Sequence, residues 1–385
     1  MPEEKKHAVL SASGAHRWLN CTASARLEEL FPSTQTKYTR EGTLAHELAE
    51  LKLRKTYETM STKTYNAKLK EIKENELYKP EMEAHTDTYA DYIKSIMYTS
   101  KSPYINIEYK TDFSKYVPEG FGTTDCVIVE GNTLHVIDFK YGQGVAVSAE
   151  NNPQMMLYAL GIYESISMIY NVEKVKLTIV QPRLDSVSEY AMAVSELMEW
   201  GENVVKAKAE EAFAGIGGFN PGEWCRFCKA KGECRARAEE NMKAVEELQA
   251  HDVRLLENFE IGSILRHCSN VEDWLKDLRD IALSKILAGE KIEGWKAVEG
   301  RSNRIITNID NAFKLLQENG FDEAVLYERK PLGLTELEKL VGKKKFGELM
   351  DKYIEKPKGK PALVEISDKR PDYIVGTTAE EDFKE

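Results

Sequence analysis

Apolar and polar positions divide the chain into a helical opening, a stretch with period two and a longer helical return. In "REGTLAHELAELKLRK" the apolar residues Leu44, Leu48, Leu51 and Leu53 recur at helical spacing, with Ala45 and Ala49 beside them, which predicts an amphipathic helix. Residues 61–100 are highly charged and read as further helix. From residue 104 the period changes. "YINIEYKTDF", "GTTDCVIVE" and "TLHVIDFKYG" read as three short strands, the last two joined at Gly131-Asn132, a pair suited to a tight hairpin. "NNPQMMLYALGIYESI" then reads as a helix capped by Asn152 with Pro153 in its first turn. "KVKLTIVQP" is a strand stopped by Pro182. Helix dominates from about 195 to 290, interrupted by "GIGGFNPGEW". The remainder is lysine-rich and mixed, ending in "TTAEEDFKE", which reads as a frayed acidic tail.

Length and charge narrow the function classes. A chain of 385 residues suffices for one large domain or two ordinary ones. No run of eighteen apolar residues occurs, and "MPEEKKHAVLSASG" lacks the apolar core of a signal peptide, so the expectation is a cytoplasmic protein with no membrane partner. A net charge of −11 argues against a protein that coats nucleic acid non-specifically. It leaves a nuclease open, whose acidic site is neutralised locally.

The order helix, three strands, helix, strand brings chemistry to one end of the sheet. Asp138 and Lys140, two apart, share a strand face, and the hairpin sets Asp125 at the start of one strand beside Asp138 at the end of the next. Two carboxylates there form a hard-oxygen site of the kind Mg²⁺ or Mn²⁺ accepts, and Lys140 can orient a water or hold charge near a phosphate. His46 lies on one face of the preceding helix with Gly42 and Glu50 and is a candidate third ligand. Gln154 and Tyr158, i and i+4, share a face of the following helix. Each element alone is compatible with an ordinary salt-bridged surface. "HELAE" begins like the zinc-protease helix, but Glu50 stands where the second histidine is required.

Six cysteines are too few for a disulfide scaffold in a chain this long. Cys225, Cys228 and Cys234 are spaced C-x2-C-x5-C, and Cys21 in "WLNCTASARL" is the candidate fourth ligand. Cluster ligation, a four-cysteine Zn²⁺ site and unligated core thiols are the alternatives.

The ordered set "GTLAH", "GTTD", "IDFK" and "QMMLY" resembles the RecB-like branch of the PD-(D/E)XK nuclease superfamily. The resemblance implies an α/β fold. Its restriction-endonuclease-like αβββαβ core, about residues 40–182, has a mixed central sheet and lies within helical N- and C-terminal extensions. It implies a nuclease domain over 1–245 and a mainly helical region of unknown role over 246–385. It assigns His46, Asp125 and Asp138 to Mg²⁺ or Mn²⁺, Lys140 to the catalytic lysine's role, and Gln154 and Tyr158 to the active-site wall and DNA contact. Glu108 in "NIEYK" is an additional candidate. One cysteine before the core and three after it resemble the iron–sulfur subset of that branch, which includes the AddB nuclease domain and CRISPR adaptation nucleases. There Cys21, Cys225, Cys228 and Cys234 would hold a 4Fe-4S cluster that staples the fold. Trp18, Leu19, Trp224 and Phe227 are then expected to shield it. The whole-length pattern, including "GWKAVEGRSNR" and "KPKGKPALVEISDKRP", is similar to RecB-like proteins of phages and prophages. The implied function is a metal-dependent DNA nuclease, an exonuclease by expectation, in phage replication or recombination. Its partners would be DNA, single-stranded or with free ends, and phage replication or recombination proteins. A catalytically silent DNA-binding or scaffold protein with the same fold is the alternative.

Overall fold

The computed structural model describes residues 8–32, 36–249, 258–328, 330–331, 333–355, 361–365 and 371–373; the acidic run 377–385 lies outside them. The chain divides into two compact units, Met1–Asn270 and Val271–Glu385.

The first unit opens with α1 (Ala15–Asn20) and α2 (Ser24–Glu28), followed by the long α3 (Lys37–Tyr57), α4 (Thr62–Lys73) and α5 (Glu81–Thr99). Then come β1 (Tyr104–Asp112), β2 (Phe121–Glu130), β3 (Thr133–Phe139), α6 (Pro153–Ile166), β4 (Lys174–Gln181) and β5 (Ser186–Ala193). Helices α7 (Val194–Trp200), α8 (Lys206–Ala214) and α9 (Arg235–Gln249) follow, and α10 (Asn258–Leu287) carries the chain into the second unit. The five strands lie in sequence order, all neighbours antiparallel except β3 and β4, which run parallel. The protein is therefore α/β with a mixed central sheet, flanked by helices, and helix, three strands, helix, strand occur in the expected order. The parallel step requires a crossover, and α6 supplies it.

Strand alternation explains why both faces are covered. On β2, Val127 and Val129 enter a core with Leu134, Val136, Leu177 and the apolar residues of α1, α6, α7 and α8. Cys126 and Ile128 point the other way, into a second core with Ile137, Phe139 and the leucines of α3. Cys126 is thus a fully buried core residue. The hairpin closes as the Gly131-Asn132 pair predicts, with Glu130 facing Thr133. Asn152 caps α6 by accepting from the Gln154 and Met155 amides, with Pro153 at the first position.

The pattern did not predict β5. Its sequence "SVSEYAMA" is an edge strand of half-exposed and exposed positions, so it lacks the apolar run that marked β4. In the second unit, the helices Ile309–Glu318, Leu334–Val341 and Lys343–Met350 gather around Phe313, Leu316, Leu337, Phe346 and Met350. A strand pair, Trp295–Glu299 with Pro361–Glu365, lies in the same unit. Among the described residues, no helix is long and apolar enough to cross a membrane.

Candidate functional site

The hairpin register Cys126↔Ile137 sets Asp125 across from Asp138. One Asp125 oxygen accepts the Phe139 amide at 2.7 Å, and the other lies 3.2 Å from His46 Nδ1 on α3. The His46 ring also meets Phe139 edge to face, which fixes it over the strand ends. Lys140 continues β3, its amide donating to Val180 at 2.9 Å, so β4 holds the lysine backbone in line. Its ammonium stands 2.9 Å from Asp138 Oδ2 and donates to Gln154 Oε1 at 3.2 Å. The Gln154 amide donates in turn to Asp138 Oδ1 at 3.3 Å. Helix α6 thus clamps Asp138 and Lys140 through one glutamine.

Tyr158, one turn further along α6, is nearly buried and packs on β2 at Gly122, the glycine of "GTTD". A Cβ at Gly122 would come within 2.8 Å of the tyrosine ring. Gly122→Ala is expected to cost about 1–3 kcal/mol of stability by forcing that ring off its seat, as read by urea unfolding.

Burial governs the electrostatics. Asp138 is buried, which raises its pKa; Lys140 opposes the rise and Asp125 adds to it, so the carboxyl stays above its usual range. Asp125 is desolvated too, but His46, the Phe139 amide and Lys140 outweigh this and hold it below that range. Burial works against a charged His46, yet Asp125 beside it prevails and lifts the imidazole to about 9. Lys140 rises despite burial because Asp138 and Asp125 face it. Tyr158 is pushed up by burial and by Asp138.

Glu108 joins this group from β1. It lies where the ladder skips from Ile107↔Cys126 to Tyr109↔Thr124, opposite Asp125, with a φ of +54° that a β-strand glutamate does not ordinarily adopt. Burial first, then Asp125 and Glu50, raise its carboxyl to about 7. Its strained backbone places a third carboxyl within electrostatic reach of Asp125, and functional sites retain strain of this kind.

Whether these residues suit a divalent ion is tested by Asp138. Its Oδ2 is buried and makes no hydrogen bond, its ion-pair partner being the Lys140 ammonium 2.9 Å away, which itself donates to Oδ1 at 3.3 Å. A carboxylate oxygen with a spare lone pair, flanked by a second carboxylate and an imidazole, is a fitting donor set for Mg²⁺ or Mn²⁺.

The four predicted cysteine ligands line one pocket, two hundred residues apart in sequence. Gly217 makes this possible: any Cβ there would fall 2.0 Å from Thr22 Oγ1, so the loop after α8 passes hard against the turn that carries Cys21. Backbone amides serve the sulfurs, Asn220 donating to Cys21 and Gly222 to Cys225, each at 3.4 Å. Burial pushes the Cys228 thiol up to about 12 and raises Cys225. Amide donors around four convergent thiols fit a thiolate-bound cluster or ion, whose charge they offset. Among the described residues, no three His, Cys, Asp or Glu side chains already stand in a coordinating array, in this pocket or at the strand ends, so side-chain rotation would have to close either site.

Of the four residues expected to shield the cysteines, Trp224 alone lines the pocket, whereas Trp18 and Leu19 belong to the core beneath α6 and Phe227 is 67% exposed. The short 3-10 turn Glu223–Phe227 points the phenyl outwards instead of over the sulfurs.

Sequence reasoning missed Gln181. Only 2% exposed, it donates to the carbonyls of Gly142 (2.7 Å) and Val145 (2.9 Å) and accepts from the Val147 amide (3.1 Å), which shapes the loop after Lys140. A buried glutamine at the end of an apolar strand, next to Pro182, was the available signal. Arg183 was missed as well. It stacks on Tyr141 at 4.8 Å and pairs with the buried Glu41 at 3.3 Å, tying the start of α3 to the same loop.

A solved protein described as "Crystal structure of SSO0001" is similar over 50% of this chain and 96% of its own, at 14% identity and a TM-score of 0.24. A family model described as "Protein of unknown function (DUF2800)" matches residues 7–371. With nearly its whole length matched, the chain belongs to the DUF2800 family.

Proposed function

We propose that the protein is a metal-dependent DNA nuclease of the RecB-like PD-(D/E)XK type that hydrolyses phosphodiester bonds. The observation that carries this reading is the cluster of the buried Asp138 with the half-buried Asp125 and His46, and with Lys140 clamped by Gln154. His46, Asp125 and Asp138 would hold Mg²⁺ or Mn²⁺, and Glu108 is a further carboxyl within the group. A bound divalent ion supplies Lewis-acid charge for the scissile phosphate and lowers the pKa of water.

The chain's own residues do the rest. Lys140, a cation held by Asp138 and Gln154, orients the attacking water and stabilises negative charge on the phosphoryl oxygens. Gln154 keeps that ammonium and Asp138 in register. Tyr158 and Gly122 seat α6 on β2, and Gln181 shapes the loop beyond the lysine. Cys21, Cys225, Cys228 and Cys234 hold the 4Fe-4S cluster in this reading, with Zn²⁺ as the alternative occupant. A role in phage or prophage DNA replication or recombination, acting from DNA ends as an exonuclease, belongs to the same proposal. It rests on resemblance.

Calorimetric titration with Mn²⁺ tests the donor set. Wild type is expected to bind, and Asp125→Asn or Asp138→Asn to lose at least about tenfold in affinity. Binding displaces the proton that Asp125 holds on His46, so affinity should rise with pH and level off above about 9. Equal affinity in wild type and both variants would remove the metal from this site.

A further inference from the structure

The turn that carries Cys225 and Cys228 presents a surface the nuclease core does not use. Residues 225–237, "CRFCKAKGECRAR", contain Arg226, Lys229, Lys231, Arg235 and Arg237 against one acid, Glu233, in a chain whose net charge is −11. Arg226, Phe227, Lys229 and Arg235 are exposed. The Arg226 guanidinium lies 5.8 Å from the Phe227 ring centroid.

Phe227 is exposed on a braced turn. Arg17 donates to the Phe227 carbonyl at 3.1 Å, Glu28 accepts the Lys229 amide at 2.7 Å, and Arg17 and Glu28 pair with each other at 2.7 Å. This ion pair, largely shielded from water, grips the backbone on both sides of the phenyl and holds it outwards. Leaving a phenyl in water on a rigid support is unfavourable for the free protein. A ligand that covers it recovers that cost, and preorganisation lowers the entropy of binding.

We propose that Phe227, with Arg226 and Lys229, is a stacking platform for single-stranded nucleic acid: one base covers the phenyl and the two cations take the flanking phosphates. The chemistry favours this ligand over an apolar protein surface, because the exposed phenyl has the Arg226 guanidinium 5.8 Å from its ring and the exposed Lys229 two residues on, in an otherwise acidic chain. Phe219, which lines the cysteine pocket, is a second exposed aromatic residue of this unit, at 52% exposure. The proposal deepens the nuclease reading and rests on it for the polymer that is bound.

The test uses the full-length protein, purified without oxygen, with EDTA present so that binding is read apart from cleavage. A labelled thymidine oligomer and a blunt duplex, each of about 20 nucleotides per strand, serve as probes. Phe227→Ala is expected to weaken single-strand binding about tenfold, and Phe227→Trp to restore it. Replacing Arg226 and Lys229 together by alanine should lower the slope of log affinity against log salt by about 1.4. Unchanged single-strand affinity in Phe227→Ala overturns the platform. So does sedimentation as a dimer that Phe227→Ala dissolves, which makes the surface a self-contact. If Phe227-dependent binding is found but wild type cuts nothing with Mn²⁺, the platform stands and the nuclease reading fails. If cleavage is found with Phe227-independent binding, only the platform fails.

Discussion

Lys140→Ala will cut DNA at least about a hundredfold more slowly than wild type while still binding Mn²⁺. The ammonium is the cation that faces both Asp138 and the neighbouring Gln154, and no second lysine or arginine is seen beside Asp138 among the described residues. Its removal leaves the donor set of His46, Asp125 and Asp138 intact. Initial rates on end-labelled DNA and a parallel Mn²⁺ titration separate the two effects. Asp138→Asn is the contrasting variant, since it should lose both. If Lys140→Ala lost Mn²⁺ binding along with cleavage, the lysine would be a structural partner of Asp138 and no more.

The second large effect lies at the cysteines. Cys21 and Cys225 bracket the whole core, so a group that ties them together closes a loop of about two hundred residues, a constraint worth on the order of 5 kcal/mol by chain-entropy reasoning. That is a large share of the roughly 5–15 kcal/mol by which domains are stable. If the four cysteines hold the proposed 4Fe-4S cluster, wild type is expected to be brown and to contain iron, and Cys228→Ser to lose both and unfold at markedly lower urea. Colourless wild type with one equivalent of zinc would make the staple a zinc site, and full stability in Cys228→Ser would deny the staple altogether.

What the sequence disclosed, and what it hid, follows from the range of each signal. His46, Gln154 and Tyr158 were legible because i, i+4 spacing and a helix cap are local, and Asp125 met Asp138 because a two-residue hairpin sets register without tertiary help. The mixed sheet was expected from the resemblance and is what the strand pairing shows. Gln181 was signalled only as a polar residue ending an apolar strand before Pro182, and its three partners, in a loop more than thirty residues earlier, could not be named from that signal. The positive φ of Glu108 comes from the skipped ladder position against β2, a tertiary cause. For Phe227, proximity to two cysteines suggested a shield. The 3-10 turn and the Arg17–Glu28 brace decide its direction, and neither can be read from composition. The edge strand β5 shows the same limit, since half-exposed positions leave no apolar run.

These residues make one demand of the chemistry. A buried carboxylate at a strand end, Asp138, with an oxygen that makes no hydrogen bond, is kept by a fold that gains something from it. The proposed gain is phosphodiester hydrolysis. The most direct measurement incubates anaerobically purified protein with end-labelled single- and double-stranded DNA and Mn²⁺, beside Asp138→Asn and an EDTA control. The account predicts metal-dependent shortening of the label by wild type and none by the variant; DNA left intact by wild type would contradict it and favour the silent DNA-binding protein.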